Sequence, residues 1–252
     1  MVEENRMDRS DRSGPGPQRR PQRSAARGTW RWPENSLLGG LPEAARGRFL
    51  SLGIMVQRPP GTVLIREEDQ STSVLVLLDG VVKVTGRTPD QREALLAVRV
   101  GGDLVGEFGA LDGKPRSATV TTCGPLVYRL VTRSDFLAAL TADAVLSQAV
   151  SRSVVDKLRA ATSRRIGFAG SNAPTRLARV IYDLAVTYGE PEGTSIVIRW
   201  PLTQPEIASL VGAAEPTVFK ALKHLREAGI VNNGYRRIAV RDIDRLHSVA
   251  FP

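Results

Sequence analysis

One cysteine, Cys123, and two histidines, His224 and His247, stand in 252 residues. A lone cysteine closes no intrachain disulfide and falls short of the roughly four ligands an iron–sulfur cluster takes. Neither histidine lies near it in the sequence, so no metal-ligand spacing exists and no metal site is expected. No convincing Ser/His/Asp or Cys/His set can be assembled, and a P-loop is missing, so an enzyme is not expected. No run of about 18 apolar residues marks a membrane span. The arginine-rich N-terminus lacks the apolar segment of a secretory signal, so the expected address is cytoplasmic, with no membrane partner.

Positive charge is what the chain has in excess. Lys and Arg outnumber Asp and Glu by 35 to 26, a net charge of +9, which invites a polyanionic partner. The excess is unevenly placed. Residues 1–32 hold eight arginines against four acids, whereas residues 171–252 hold ten basic against eight acidic residues. Residues 1–34 are rich in Arg, Ser, Pro, Gly and Gln and nearly free of aliphatic side chains, which predicts a disordered basic tail. The alternative reading is a nonspecific phosphate-binding arm.

Beyond the tail the patterning divides the chain into 35–142, 143–169 and 170–252. Leu41 to Leu52 reads as a short amphipathic helix with Pro42 near its first turn. Short β-rich runs follow at Thr62–Ile65, Val74–Leu78, Val81–Val84, Leu95–Val100 and Leu126–Val131, the spacing of a β-sandwich or roll. Asp79-Gly80 between two of them predicts a type I′ hairpin. From Asp143 to about Gly167 the period is helical for about seven turns. Val150, Val154, Leu158 and Ala161 form a stripe, with Val155 alongside. The stripe fits either packing on the chain's own β-roll or a parallel two-helix seam. Gly170-Ser171-Asn172-Ala173-Pro174 reads as a hinge. A helix over about Thr175–Tyr188, a β pair at Ser195–Trp200, two short helices, a hairpin around Asn232-Asn233-Gly234 and a turn of helix at Asp242–His247 are predicted after it.

The densest chemistry is Gly106-Glu107-Phe108-Gly109-Ala110-Leu111-Asp112-Gly113-Lys114-Pro115-Arg116-Ser117-Ala118. A cyclic nucleotide carries one phosphodiester charge, which suits a guanidinium fork and backbone N–H groups at a helix N-terminus. Its ribose 2′-OH needs an acceptor, which a carboxylate supplies. Taken singly, Glu107 could be a capping acid, Arg116 a surface charge and the glycines loop formers. Together the string resembles the phosphate-binding cassette of cyclic-nucleotide-binding domains. By that resemblance Arg116 and Ser117 hold the phosphate, Glu107 the ribose, and the Gly106–Phe108 backbone the phosphate oxygens.

A second constellation runs from Leu202 to Leu225. Thr203 is placed as an N-cap, with Pro205 in the first turn and Glu206 completing a capping box. Gly212 supplies the turn, and Val218, Leu222 and Leu225 repeat at helical spacing on a second helix. Its outward residues are Thr217, Phe219, Lys220 and Lys223, as expected of a helix entering a major groove. Arg236, Arg237 and Arg241 surround a turn that reads as a wing able to reach phosphates. A generic helical hairpin is the plain alternative.

In this order the elements of residues 36–245 resemble the CRP/FNR family, relatives of the cyclic-AMP receptor protein. The resemblance implies an α+β chain: an N-terminal β-roll (jelly-roll) cyclic-nucleotide-binding domain, a long dimerisation helix and a C-terminal winged helix-turn-helix. It also implies a homodimer on a palindromic double-stranded DNA site, with RNA polymerase as a partner and cyclic AMP as the favoured ligand. No cofactor beyond that ligand is expected. DNA contacts would come from Thr203, Gln204, Glu215, Pro216, Thr217, Phe219, Lys220, Lys223 and Arg236. Aligned through Leu158 and Arg176, the family's purine-contacting Thr-Ser pair falls on Ala161 and Thr162. Only Thr162 keeps a hydroxyl, so cyclic GMP or low selectivity stays open. The family's Arg-Glu…Arg readers fall on Glu215, Pro216 and Lys220, which implies a half-site other than TGTGA. An alternative keeps the DNA reader with a vestigial or differently liganded sensor.

Overall fold

The computed structural model describes Trp30, residues 32–89, Gln91 and residues 93–198, 203–234 and 237–252. Almost all of the basic tail, together with Arg236 and the Trp200 end of the expected β pair, lies outside these described residues. In chain order the elements begin with α1 (Leu37–Gly40), α2 (Glu43–Ser51), β1 (Ile54–Arg58), β2 (Val63–Ile65), β3 (Val74–Asp79), β4 (Val81–Arg87), β5 (Glu93–Val100) and β6 (Leu104–Val105). They continue with α3 (Glu107–Asp112), β7 (Thr119–Thr122), β8 (Leu126–Val131), α4 (Arg133–Ala142) and α5 (Ala144–Phe168). The last third holds α6 (Ala173–Tyr188), β9 (Glu190–Glu192), β10 (Ser195–Ile198), α7 (Gln204–Val211), α8 (Glu215–Glu227), β11 (Val231–Gly234), β12 (Arg237–Val240) and α9 (Ile243–Ala250).

The N-terminal unit is a roll of two antiparallel four-stranded sheets, in the orders β1-β8-β3-β6 and β2-β7-β4-β5. Leu75, Leu77, Val82, Val120 and Tyr128 fill the space between the sheets. The opposite face of β3, carrying Val74, Val76 and Leu78, packs under Leu38, Phe49, Phe136, Leu146 and Val150 of the helices. This double cover explains why β3 reads as an unbroken apolar run instead of an alternating one. Asp79-Gly80 is not a hairpin. β3 and β4 belong to different sheets, and only Gly80 has a positive φ, +98°, whereas a type I′ turn requires two such residues. A Cβ at Gly80 would lie 2.4 Å from the Pro125 carbonyl oxygen, so glycine is needed for close approach while the chain crosses between sheets.

Asp143 caps α5 by accepting from the Val145 and Leu146 amides, and the helix runs without proline to Phe168. The apolar stripe divides along its length. Val150 is buried against the roll, whereas Leu158, Val155 and Ile166 are exposed in the single chain. Packing on the chain's own roll therefore accounts for the Val150 end of the stripe and not for the exposed residues. After Gly170, Asn172 caps α6 and Pro174 sits in its first turn, where its missing N–H costs nothing.

The C-terminal unit packs α6–α9 against a sheet of order β11-β12-β10-β9. Asn233 and Gly234 are strand residues here, since Gly234 pairs with Arg237. The expected turn residues thus belong to β11 itself. The final helix is longer than expected, with Asp242 as its cap.

Candidate functional site

Gly106 ends β6 and caps α3 with a left-handed φ of +84°. A Cβ there would lie 2.9 Å from both Arg116 Nη1 and the Ser73 carbonyl oxygen, so any larger residue would push on the guanidinium. Arg116 returns from the loop after α3 with 4% of its surface exposed. Its Nη1 donates to the Gly106 carbonyl at 2.6 Å, its Nη2 to the Ser73 carbonyl at 2.6 Å and its Nε to Ser71 Oγ at 3.2 Å. Burial lowers its pKa, opposed by the charges of Asp69 and Glu107, yet an arginine remains charged. The fork expected to meet a phosphate is therefore also a tie between β3, β6 and the loop after α3.

Glu107 is buried at the start of α3 and meets Lys157 of α5, Nζ to Oε1 2.7 Å. Lys157 Nζ also donates to the Leu104 carbonyl at 2.6 Å. Burial drives the Lys157 pKa down while the Glu107 charge works against that shift. The expected ribose acceptor is thus engaged by the long helix. Lys157 is not among the ligand residues expected from the sequence. Its spacing, three residues after Val154 and four before Ala161, places it on their helical face.

These residues border a cavity of about 450 Å³, within the usual range for small-molecule sites. Gly106, Glu107, Phe108, Arg116 and Ser117 all line it, with Val84, Leu96 and Ala97 on the strand side and Val154, Leu158 and Ala161 on the helix side. The structure therefore brings five of the six expected ligand residues together. Thr162 is exposed and outside this wall, whereas its neighbour Ala161 is part of it. A larger cavity of about 670 Å³ opens elsewhere along α5 and shares Arg99 and Lys157 with the first.

In the C-terminal unit, Thr203 Oγ accepts from the Glu206 amide at 3.4 Å, and Glu206 Oε2 accepts from the Thr203 amide at 2.7 Å. This is the expected capping box. Gly212 follows α7 with φ +64°. Arg176 of α6, which sequence reasoning used only as an alignment anchor, donates to the Val211 and Gly212 carbonyls at 3.0 and 2.9 Å. It thereby satisfies carbonyls left open at the C-terminus of α7 and fixes the turn. Val218, Ala221, Leu222 and Leu225 bury the inner face of α8, while Glu215, Pro216, Thr217, Phe219, Lys220 and Lys223 are exposed together on its outside. Thr203 and Gln204 are exposed at the start of α7. Lys223 lies 3.6 Å from Glu227, and Arg237 of the wing 3.3 Å from Glu192. No helix among the described residues is long and apolar enough to cross a membrane.

Two family descriptions match this arrangement. Residues 55–143 match the cyclic nucleotide-binding domain, and residues 175–249 match the Crp-like helix-turn-helix domain. The chain is 28% identical to a CRP-like cAMP-activated global transcriptional regulator of Mycobacterium tuberculosis, over 76% of this chain and 85% of that one. It is 25% identical to a cyclic AMP receptor protein of Thermus thermophilus, over 77% and 86%. Among solved structures, FixK2 from Bradyrhizobium japonicum superposes with a TM-score of 0.71 at 20% identity, over 80% of this chain and 98% of that one.

Proposed function

The chain belongs to the CRP/FNR family of transcription regulators, and we propose that it is a homodimeric regulator whose DNA binding is controlled by a cyclic nucleotide, with cyclic AMP favoured. The observation that carries this reading is the convergence of a buried guanidinium, a buried carboxylate and Ser117 on one cavity of about 450 Å³. A cyclic phosphate would meet Arg116, Ser117 and the backbone amides opening α3, and the ribose 2′-OH would meet Glu107. Because Lys157 holds Glu107, a ribose hydroxyl arriving at that carboxylate shifts the balance of contacts on α5. Binding is thereby felt by the long helix.

Residues 35–142 serve as sensor, 143–169 as dimer helix and 170–252 as DNA reader. The exposed Val155, Leu158 and Ile166 supply an apolar strip for a second copy. Thr162, off the wall of its own cavity, would then be available to the ligand of the partner. Thr203, Gln204 and Arg236 are assigned to phosphate oxygens, and Glu215, Pro216, Thr217, Phe219, Lys220 and Lys223 to the major groove. RNA polymerase as a partner, a cytoplasmic address and the lack of an enzymatic activity follow from the same family reading.

Calorimetric titration with cyclic AMP, paired with DNA selection from a random pool, tests this reading. Micromolar or tighter binding and enrichment of an inverted repeat support it. A second reading, a sensor that responds to another ligand or to none, has one observation in its favour: both Arg116 and Glu107 are already satisfied by protein groups. Absence of cyclic AMP and cyclic GMP binding alongside intact DNA selection would favour it.

A further inference from the structure

β5 has a different neighbour on each face. Leu96, Ala97 and Arg99 line the cassette cavity. Leu95 and Val98 point the other way, 5% and 3% exposed, and belong to the same apolar cluster as Leu210, Val211, Leu222 and Leu246 of the helix-turn-helix unit. The extra residue that makes this division possible is a bulge, where Val84 pairs with Ala97 but Thr85 with Leu95.

Polar contacts pin the same junction. The Leu95 amide donates to Ser209 Oγ of α7 at 2.7 Å. Lys83 of β4 meets Glu206 of α7, Nζ to Oε1 2.7 Å, with both side chains less than one quarter exposed. The Glu206 carboxylate thus divides its oxygens, one to the capping box at Thr203 and one to the roll. Tyr188 at the end of α6 reaches the Val98 carbonyl at 3.3 Å, and Arg164 donates to the Leu96 carbonyl. The outer face of α8 remains exposed throughout. The contact therefore fixes where α7 sits without covering the groove-facing residues.

We propose that Lys83, Ser209 and the Leu95–Val98 face of β5 are positioning residues for DNA binding, docking α7 on the strand that walls the ligand cavity and so holding the reader in a DNA-competent pose. The proposal rests on the DNA-reading assignment of α8 but not on the identity of the ligand. It gives the cavity a route to the reader within one chain, separate from the long helix.

The test is Lys83→Glu in the full chain, with Lys83→Arg as the conservative variant. Lys83→Glu sets a like charge against Glu206, and the docked pose is expected to open. Hydrogen exchange at Leu95 should speed up, and affinity for the selected duplex in saturating cyclic AMP should fall about three- to tenfold. Cyclic AMP affinity should fall by no more than DNA affinity does, because the coupling is reciprocal and Lys83 does not line the cavity, and Lys83→Arg should behave as the parent. Unchanged exchange at Leu95, or DNA affinity that is unchanged or tighter, would overturn the proposal. A parent chain that ignores cyclic AMP refutes the ligand reading alone, because exchange and basal DNA affinity still report on docking.

Discussion

Replacing Arg116 by leucine removes a charge from the cassette and also unties three segments of the roll. The guanidinium supplies the donors that the Gly106 and Ser73 carbonyls accept at 2.6 Å, and a third to Ser71 Oγ. Leucine leaves both carbonyls without that partner in a part-buried setting. Stranding the Ser73 carbonyl costs about 1–3 kcal/mol, and the Gly106 carbonyl, which keeps the Ala110 amide at 3.3 Å, adds about 1 kcal/mol, so the sum is about 2–4 kcal/mol. Relief of the buried charge's desolvation works in the opposite direction, so a net loss of about 1–3 kcal/mol is expected. Against a usual stability of about 5–15 kcal/mol this leaves the roll folded but weakened. Urea unfolding of Arg116→Leu measures it, with the midpoint lowered and the slope unchanged. Calorimetry well below the transition then reads ligand affinity separately, and binding should be lost. A stability change under about 0.5 kcal/mol would refute the structural half of the argument. Parent-like affinity would refute the ligand half.

Further outcomes follow from the same contacts. Lys157→Ala strands the buried Glu107 carboxylate and should cost about 3–5 kcal/mol by urea melt, whereas Lys157→Ala with Glu107→Gln should recover part of it. Thr203→Ala breaks the capping box and should lower stability by about 1 kcal/mol, with weaker DNA binding in anisotropy. The docking of α7 should be flat across neutral pH. Burial raises the Glu206 pKa, but hydrogen bonds from Lys83 and Thr203 outweigh it and hold the carboxyl below its ordinary 4.5. Its contribution is therefore present above that value and lost as pH falls through the lowered one. Burial disfavours the Lys83 charge, but Glu206 outweighs it and raises the pKa above 10.5. That contribution is present below 10.5 and lost as pH rises through the raised value. Exchange at Leu95 across a pH series, corrected for intrinsic rates, reads both edges.

Much of this was legible in the sequence because the signals were local. A capping box needs only Thr203 and Glu206 three residues apart, and the cassette is one contiguous string. The positive φ values at Gly106 and Gly212 are written in the residue type. The features that escaped depend on distant pairing. Whether Asp79-Gly80 closes a hairpin or crosses between sheets depends on β8 lying beside β3, about fifty residues away. β1, with Ile54 and Met55 exposed on an edge, has no apolar alternation to announce it. Lys157 gains its meaning only when α5 passes Glu107, and Lys83 only when α7 docks on β5. The α5 stripe reads as one pattern in the sequence, yet only its Val150 end is buried on the roll, while Val155, Leu158 and Ile166 stay exposed.

The central claim is that occupancy of the cassette cavity controls the DNA reader. Its most direct test is the affinity of the full chain for its selected duplex at fixed salt, measured by anisotropy while cyclic AMP and, separately, cyclic GMP are titrated. Saturating cyclic AMP should tighten DNA binding by about tenfold or more, in the usual range for coupled sites. Cyclic GMP should act within about tenfold of the same concentration, because Val154, Leu158 and Ala161 offer the base no side-chain hydrogen bond and Thr162 would add a single hydroxyl. DNA affinity that responds to neither nucleotide would contradict the account.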